Sequence, residues 1–205
     1  MDCLKEKEFQ KKTEISDYKL NKLNKYLYLL NVWQEKFNLI SIKSVEFIWD
    51  RHVLDSYQIL KIIGNNKTII DIGSGAGFPG IVCAICSNNH FTLVESNKKK
   101  ITFLNEVKNK INLKNISIHH SRIENLKTNK NFDFISARAV SSLDNLMKLS
   151  KNFLKNNTKC IFLKGKTFNK EIQKAKKKYF FDIRCVRSIT DINSRVLVIN
   201  NIMKK

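Results

Sequence analysis

The chemistry-bearing residues of this chain cluster in one short run, Ile69-Ile70-Asp71-Ile72-Gly73-Ser74-Gly75-Ala76-Gly77-Phe78-Pro79-Gly80. It holds four of the six glycines and the single proline, so glycine here serves a local purpose and is not general turn material. An apolar stretch ending at Asp71 reads as a buried strand, the glycines as a tight turn, and Pro79 as the first turn of a helix, where its missing N–H has no intrahelical partner anyway. Glycines let a backbone approach a ligand closely. In an open α/β sheet such a turn lies at the carboxyl edge of the strands, where ligands bind. Gly75 to Gly80 matches G-x-G-x-x-G, which alone is a weak signal.

Two ligand classes fit that loop. A dinucleotide presents a pyrophosphate to the helix N-terminus. S-adenosylmethionine carries no phosphate and has a cationic amino-acid end, which an acid just before the loop suits. Asp71 stands there, and dinucleotide folds usually keep that position apolar. Glu95, about 20 residues beyond the loop, closes a second strand at the distance where an acid binds ribose hydroxyls. It serves either ligand.

Other constellations have bland readings. Cys83-x-x-Cys86 lies in the apolar run 81–86 with no second cysteine pair, so core packing is favoured over zinc or redox chemistry. His52, Asp55 and Ser56 share a helix face but lack a nucleophile elbow, so a hydrolase is not favoured and helix anchoring near the ligand is expected. His119 and His120 alternate across a strand end and cannot easily chelate one metal; no metal site is expected. Lys98-Lys99-Lys100 and the lysines at 174 and 176–178 read as solvated helix ends as readily as RNA contacts. Arg122, Arg138, Lys164 and Arg195 sit at or beside strand ends, and convergence on one cleft is expected of them.

The elements that must carry these residues follow from the hydrophobic pattern. Residues 1–15 are polar and read as frayed. From Ser16, an N-cap, Leu20, Leu23, Leu27 and Leu30 fall at helical spacing. Asn38 to Ser41 interrupts, and a second helix is expected over 44–63, ended by Gly64. β-branched runs then alternate with helical ones. Strands are expected at 68–72, 91–95, 116–119, 132–136, 160–164, 180–186 and 195–199, and helices at 80–86, 98–112, 142–154 and 169–178. Such alternation gives a mostly parallel sheet with helices on both faces. Only a turn separates the last two strands, so they pair antiparallel. The expected organisation is an N-terminal helical extension, residues 1–64, on a seven-stranded α/β domain, residues 65–205.

Over 205 residues, Lys+Arg 38 against Asp+Glu 18 gives a net charge of +20. That charge favours polyanions, nucleic acid first, although a Lys- and Asn-heavy composition accounts for part of it. No apolar run approaches the ~20 residues of a membrane span, and the charged N-terminus has no signal-peptide core; a soluble cytoplasmic protein is expected. The five cysteines, Cys3, Cys83, Cys86, Cys160 and Cys185, are odd and scattered, which argues for free thiols.

Taken together, the residues resemble a known family. Asp71 to Gly80 is similar to the cofactor loop of the bacterial 16S ribosomal RNA (guanine-N7)-methyltransferases, the glucose-inhibited division protein B family. Asn38-Leu39 with Arg51-His52-Val53-Leu54-Asp55-Ser56 resembles its N-terminal signature, Ser136-Ala137-Arg138-Ala139 its fourth-strand motif, and Leu163-Lys164-Gly165 its fifth-strand motif. The match runs from about residue 20 to the C-terminus. It departs at Ala76 and Phe78, where Pro and Leu are common; both remain apolar. The resemblance implies a Rossmann-like class I S-adenosylmethionine-dependent methyltransferase sheet with S-adenosylmethionine as methyl donor. It implies that Gly73 and Phe78 line the cofactor pocket and that Ile123-Glu124 holds the adenine through backbone groups. It further implies that Arg138 stands at the cofactor site and that Arg122 and Arg195 occupy active-site or RNA-facing positions. With Asp71, Gly75 and Glu95 these complete the expected site.

The implied substrate is guanine 527 in the 530 loop of 16S ribosomal RNA, free or in the small subunit, and a monomer is expected. Guanine N7 carries a lone pair and no hydrogen, so attack requires no general base. Two competing readings are a nicotinamide-dependent oxidoreductase, which lacks an apolar residue at 71 and an evident proton donor, and a non-catalytic RNA-binding assembly factor, which leaves the glycine loop unexplained.

Overall fold

A computed structural model describes residues 5–205; Cys3 lies outside them. The N-terminal layer comprises α1 (Glu6–Thr13) and α2 (Asp17–Gln34), a 3-10 turn (Ile42–Ser44), a π-helical turn (Trp49–Leu54), and the short helices α3 (Asp55–Tyr57) and α4 (Leu60–Ile63). The α/β part runs β1 (Thr68–Ile72), α5 (Gly80–Cys86), β2 (His90–Glu95), α6 (Lys98–Lys110), β3 (Ile116–His120), β4 (Phe134–Arg138), α7 (Leu143–Ser150), β5 (Lys159–Lys164), α8 (Phe168–Lys176), β6 (Tyr179–Arg187) and β7 (Arg195–Lys204).

All seven expected strands form one sheet, in the order β3-β2-β1-β4-β5-β7-β6. Five are parallel, and β7 runs antiparallel between β5 and β6. The chain departs from β1 to β2 and β3 on one side and to β4 and β5 on the other. That reversal leaves a crevice at the carboxyl ends of β1 and β4, the place such sheets use for ligands. Residues on β1 alternate between two apolar layers. Ile69 joins a cluster with α2, α5 and α6, while Ile70 and Ile72 join one with α7 and α8. Burial on both faces explains the near-continuous apolar reading of this strand.

Three expectations are corrected. Residues 6–13 are not frayed but helical: Phe9 is fully buried, stacked near Trp49 (5.3 Å) and Tyr57 (5.6 Å). One buried ring, worth about 1.5–3 kcal/mol, anchors an otherwise polar helix. The expected single helix over 44–63 is broken into the 3-10, π and short α segments above, and the π turn shifts the phase of the side chains around Arg51 and His52. Finally, β4 lies two residues later than expected and β7 extends to Lys204. The shift matters, because it makes Arg138 the last residue of β4, paired with Leu163. Ser16 does cap α2, accepting from the Lys19 amide.

Candidate active site

The glycine loop is held to the end of β2 by its backbone. The amides of Gly73 and Ser74 donate to the Val94 carbonyl, and the Gly75 amide donates to Glu95 Oε2 at 2.9 Å. Glu95 Oε1 accepts from the amides of Ser96 and Asn97, both at 2.8 Å. A carboxylate has about four acceptor positions, so Glu95 spends three on backbone and keeps one for a ligand hydroxyl. Gly75 sits at φ +57°, and a Cβ there would meet nothing nearer than 3.8 Å; the open space above it is room for a bound group. Gly80 is different. A Cβ on it would lie 2.3 Å from Leu93 Cδ2, so this glycine lets α5 pack down on β2.

Asp71 is fully buried, between Leu93 of β2 and Ser136 of β4 in register. Its Oδ1 accepts from Ser136 Oγ at 2.7 Å, and Oδ2 lies against the first turn of α5 at Gly80. Burial pushes its carboxyl up to about 6, with the Ser136 hydrogen bond opposing. Asp71, expected at the cationic end of the ligand, is enclosed beneath the loop in this structure, and its Oδ2 has no hydrogen-bond partner. The same geometry disfavours a dinucleotide, since a carboxylate occupies the helix start that a pyrophosphate would need.

Phe78 is the residue expected to form a wall of the cofactor pocket. It is buried, and its ring packs against Tyr26 (5.5 Å), His52 (4.8 Å) and the Arg138 guanidinium (5.0 Å). Tyr26 in turn donates to the Ala76 carbonyl at 2.7 Å, so α2 braces the glycine loop from behind.

Arg138 is the centre of the arrangement. Its Nη1 donates to the Arg51 carbonyl (2.8 Å) and to Asp55 Oδ2 (3.3 Å), and its Nη2 to His52 Nδ1 (2.7 Å). Arginine only donates, so Nδ1 must be the accepting nitrogen of a neutral imidazole. His52 Nε2 then carries the hydrogen and donates to Ser44 Oγ (2.8 Å), which donates to the Ser41 carbonyl (2.7 Å). Burial, then the charges of Arg138 and Arg51, lower the His52 pKa to about 3. Two of the five Arg138 N–H donors are left over for a ligand.

Beside Arg138 opens a cavity of about 440 Å³ at the carboxyl ends of β4 and β5 and the start of the antiparallel β7. Arg138, Lys164, Arg195, Asp55, Glu171 and Ser141 are among its lining residues. Both carboxylates are occupied: Asp55 by Arg138, Glu171 by Lys164 at 2.8 Å. Lys164 Nζ also donates to the Ser141 carbonyl. Val140 lines this cavity and also packs over the glycine loop, its side chain taking the space a Cβ on Gly73 would need. Arg195 is held by the Ile192 and Ser194 carbonyls and lies over Phe168 at 5.0 Å.

Of the four cations expected to converge, Arg138, Lys164 and Arg195 do. Arg122 does not: it follows β3, three strands from β4 and so about 14 Å away along the sheet. It precedes the 3-10 turn Ile123–Asn125 at the N-cap position without a side-chain cap, and in that turn Ile123 is buried and Glu124 exposed. Gln58 was not singled out from the sequence. It joins the helical layer to the β6–β7 turn, donating to Asp55 Oδ1 and Ser188 Oγ and accepting from the Ile189 amide. Cys83 and Cys86 are buried in α5, and no metal-binding cluster exists among the described residues.

A family model described as rRNA small subunit methyltransferase G matches residues 19–198. A ribosomal RNA small subunit methyltransferase G of Rickettsia typhi is 36% identical over 192 residues, covering 93% of this chain and 98% of that protein. The protein of the same description from Gluconobacter oxydans is 33% identical over 189 residues, 92% of this chain and 97% of its own. The chain belongs to the rRNA small subunit methyltransferase G family. Solved structures agree on the fold. A ribosomal protein L11 methylase from Lactobacillus delbrueckii superposes with TM-score 0.56 at 18% identity, covering 72% of this chain and 76% of that one. A putative S-adenosylmethionine-dependent methyltransferase from Methanococcus maripaludis gives 0.57 at 16% identity, covering 75% and 86%. The fold is thus the class I methyltransferase fold. No helix among the described residues is long and apolar enough to cross a membrane.

Proposed function

We propose that this chain methylates N7 of guanine 527, in the 530 loop of 16S ribosomal RNA. S-adenosylmethionine supplies the methyl group from its sulfonium. Gly73, Gly75 and Glu95 would hold it on one side, with Ile123-Glu124 beyond at the end of β3, where Arg122 is the nearest cation of the expected set. The acceptor base would enter the cavity beside Arg138.

One observation carries the choice of N7. Every carboxylate lining that cavity is tied to a cation, and His52 is neutral with both ring nitrogens engaged. Among the described residues, no free carboxylate or imidazole lines that cavity. Nucleophiles that must lose a proton are poorly served there, whereas guanine N7 attacks with its own lone pair. The chain then has only to position and to stabilise. Arg138 offers its spare donors to guanine O6 or an adjacent phosphate and leaves N7 free. Methylation makes the base cationic, and the surrounding Arg138, Lys164 and Arg195 then favour its release. The base must leave its stack to reach the cavity.

The test supplies labelled S-adenosylmethionine with small subunits, or 16S ribosomal RNA, from a strain lacking this modification. Chemical strand cleavage then maps N7-methylguanine. Cleavage at 527 supports the proposal; label on protein or on another base overturns it.

A further inference from the structure

The register of the last three strands sets three cations side by side. Lys164 of β5 pairs with Arg195 of β7, which pairs on its other side with Arg187 of β6. Residues directly opposite in a sheet have Cβ atoms about 5 Å apart and point to the same face, and like charges in that relation are destabilising. Lys164 is neutralised by Glu171. No carboxylate forms an ion pair with Arg195 or Arg187 among the described residues. Arg195 is fixed by two carbonyls and by Phe168, while Arg187 is exposed on the edge strand. The row begins at the cavity, which Lys164 and Arg195 line, and leads outward from it.

We propose that Arg187 and Arg195 together grip a backbone phosphate of the RNA strand that delivers the guanine. The proposal rests on the cavity being the acceptor site. Two guanidinium groups side by side without an ion-pair partner repel each other, and a bound anion offsets that repulsion. Phosphate is the anion an RNA strand presents, and two guanidinium groups on neighbouring strands match its oxygens. Arg187 is then a positioning residue, fixing where the strand enters without touching the reacting atoms.

The experiment compares Arg187→Gln with Arg184→Gln. Arg184 lies on the same strand three positions earlier, so it faces the opposite side of the sheet. Both variants lose one charge. Binding of a fluorescein-labelled RNA stem-loop carrying the 530-loop sequence is followed by anisotropy from 50 to 300 mM KCl. Arg187→Gln is expected to weaken binding several-fold and to lower the steepness of log K against log salt by about 0.7–0.9, one phosphate contact. Arg184→Gln should leave the slope near wild type. In turnover, Arg187→Gln should raise KM for RNA and keep kcat, and its thermal midpoint should equal or exceed wild type. Equal slopes for the two variants, or a fall in kcat with KM unchanged, overturn the proposal. Wild-type protein that binds RNA but transfers no methyl group refutes the functional reading instead, and the slope comparison stands apart from it.

Discussion

At the scale of single residues, Arg138 concentrates the consequences. It satisfies a carbonyl, a carboxylate and a neutral imidazole at once, a geometry only a guanidinium spans. Arg138→Lys should therefore lower kcat/KM by more than about tenfold, measured by methyl transfer, while circular dichroism stays native. Arg138→Ala strands Asp55 in a largely buried position and should cost about 2–3 kcal/mol in urea unfolding as well. Two buried groups bend acid stability in opposite directions. His52 falls to about 3 in the fold, so the folded protein binds fewer protons than the unfolded chain between about 3 and the ordinary 6.5. Its contribution is present above that window and is lost as pH falls through it. Asp71 is raised to about 6, so between the ordinary carboxylate value of 3.8 and 6 the fold binds more protons, and its contribution is lost as pH rises. The slopes oppose each other between about 4 and 6. His52→Gln should flatten the loss of stability between pH 6.5 and 5, and Asp71→Asn should steepen it; equal pH profiles for all three proteins would refute the assignment. The residue types in the glycine loop were legible in the sequence, since glycine and acid at that spacing have few other uses. What Asp71 touches was not, because a buried support and a ligand contact place the same residue at the end of a strand.

The elements were read well wherever the pattern repeats and poorly where one contact decides. The seven strands follow from β-branched runs between turn residues. The helix at 6–13 has a single buried apolar side chain, so its periodicity is silent, and only the tertiary pairing of Phe9 with Trp49 and Tyr57 reveals it. The segment 44–63 carries apolar residues at close to helical spacing, which hides the π turn. Yet that turn brings the Arg51 carbonyl and the His52 ring to Arg138 with the Asp55 carboxylate, and wide turns of this kind recur at functional sites. Close packing of α5 on β2 gives another expectation. Gly80→Ala overlaps Leu93 and should lower stability by about 1–3 kcal/mol, whereas Gly75→Ala meets open space, so its cost is the backbone strain of a side chain at φ +57°, about 1–2 kcal/mol; it should stay folded while weakening S-adenosylmethionine binding in calorimetry. We also propose that residues 1–64 do not form a separable unit. Leu23, Tyr26 and Leu30 share one apolar cluster with Ile81, Val82 and Ile85, so a chain starting at residue 65 should aggregate on expression; a soluble, cooperatively folding fragment would contradict this.

For the whole molecule, the +20 charge has a distribution that composition could not give. Three cations line one cavity, Arg122 stands on the far side of the crevice, and many lysines are simply exposed. RNA affinity should therefore fall steeply with salt, while turnover of bound RNA should change little; parallel losses in both would argue against a surface role for the lysines. The clasp at Gln58 has a different consequence, in time. The cavity wall is made of residues 55–58 from early in the chain and residues 188–196 from its end, joined by the Gln58 and Asp55 hydrogen bonds to Ser188, Ile189 and Thr190. Contacts this distant in sequence carry a loop-closure cost and slow folding. The residues of that wall come from distant parts of the described chain, so removing 188–196 is expected to open the cavity and abolish methyl transfer while leaving the glycine loop's own hydrogen bonds to Val94 and Glu95 in place.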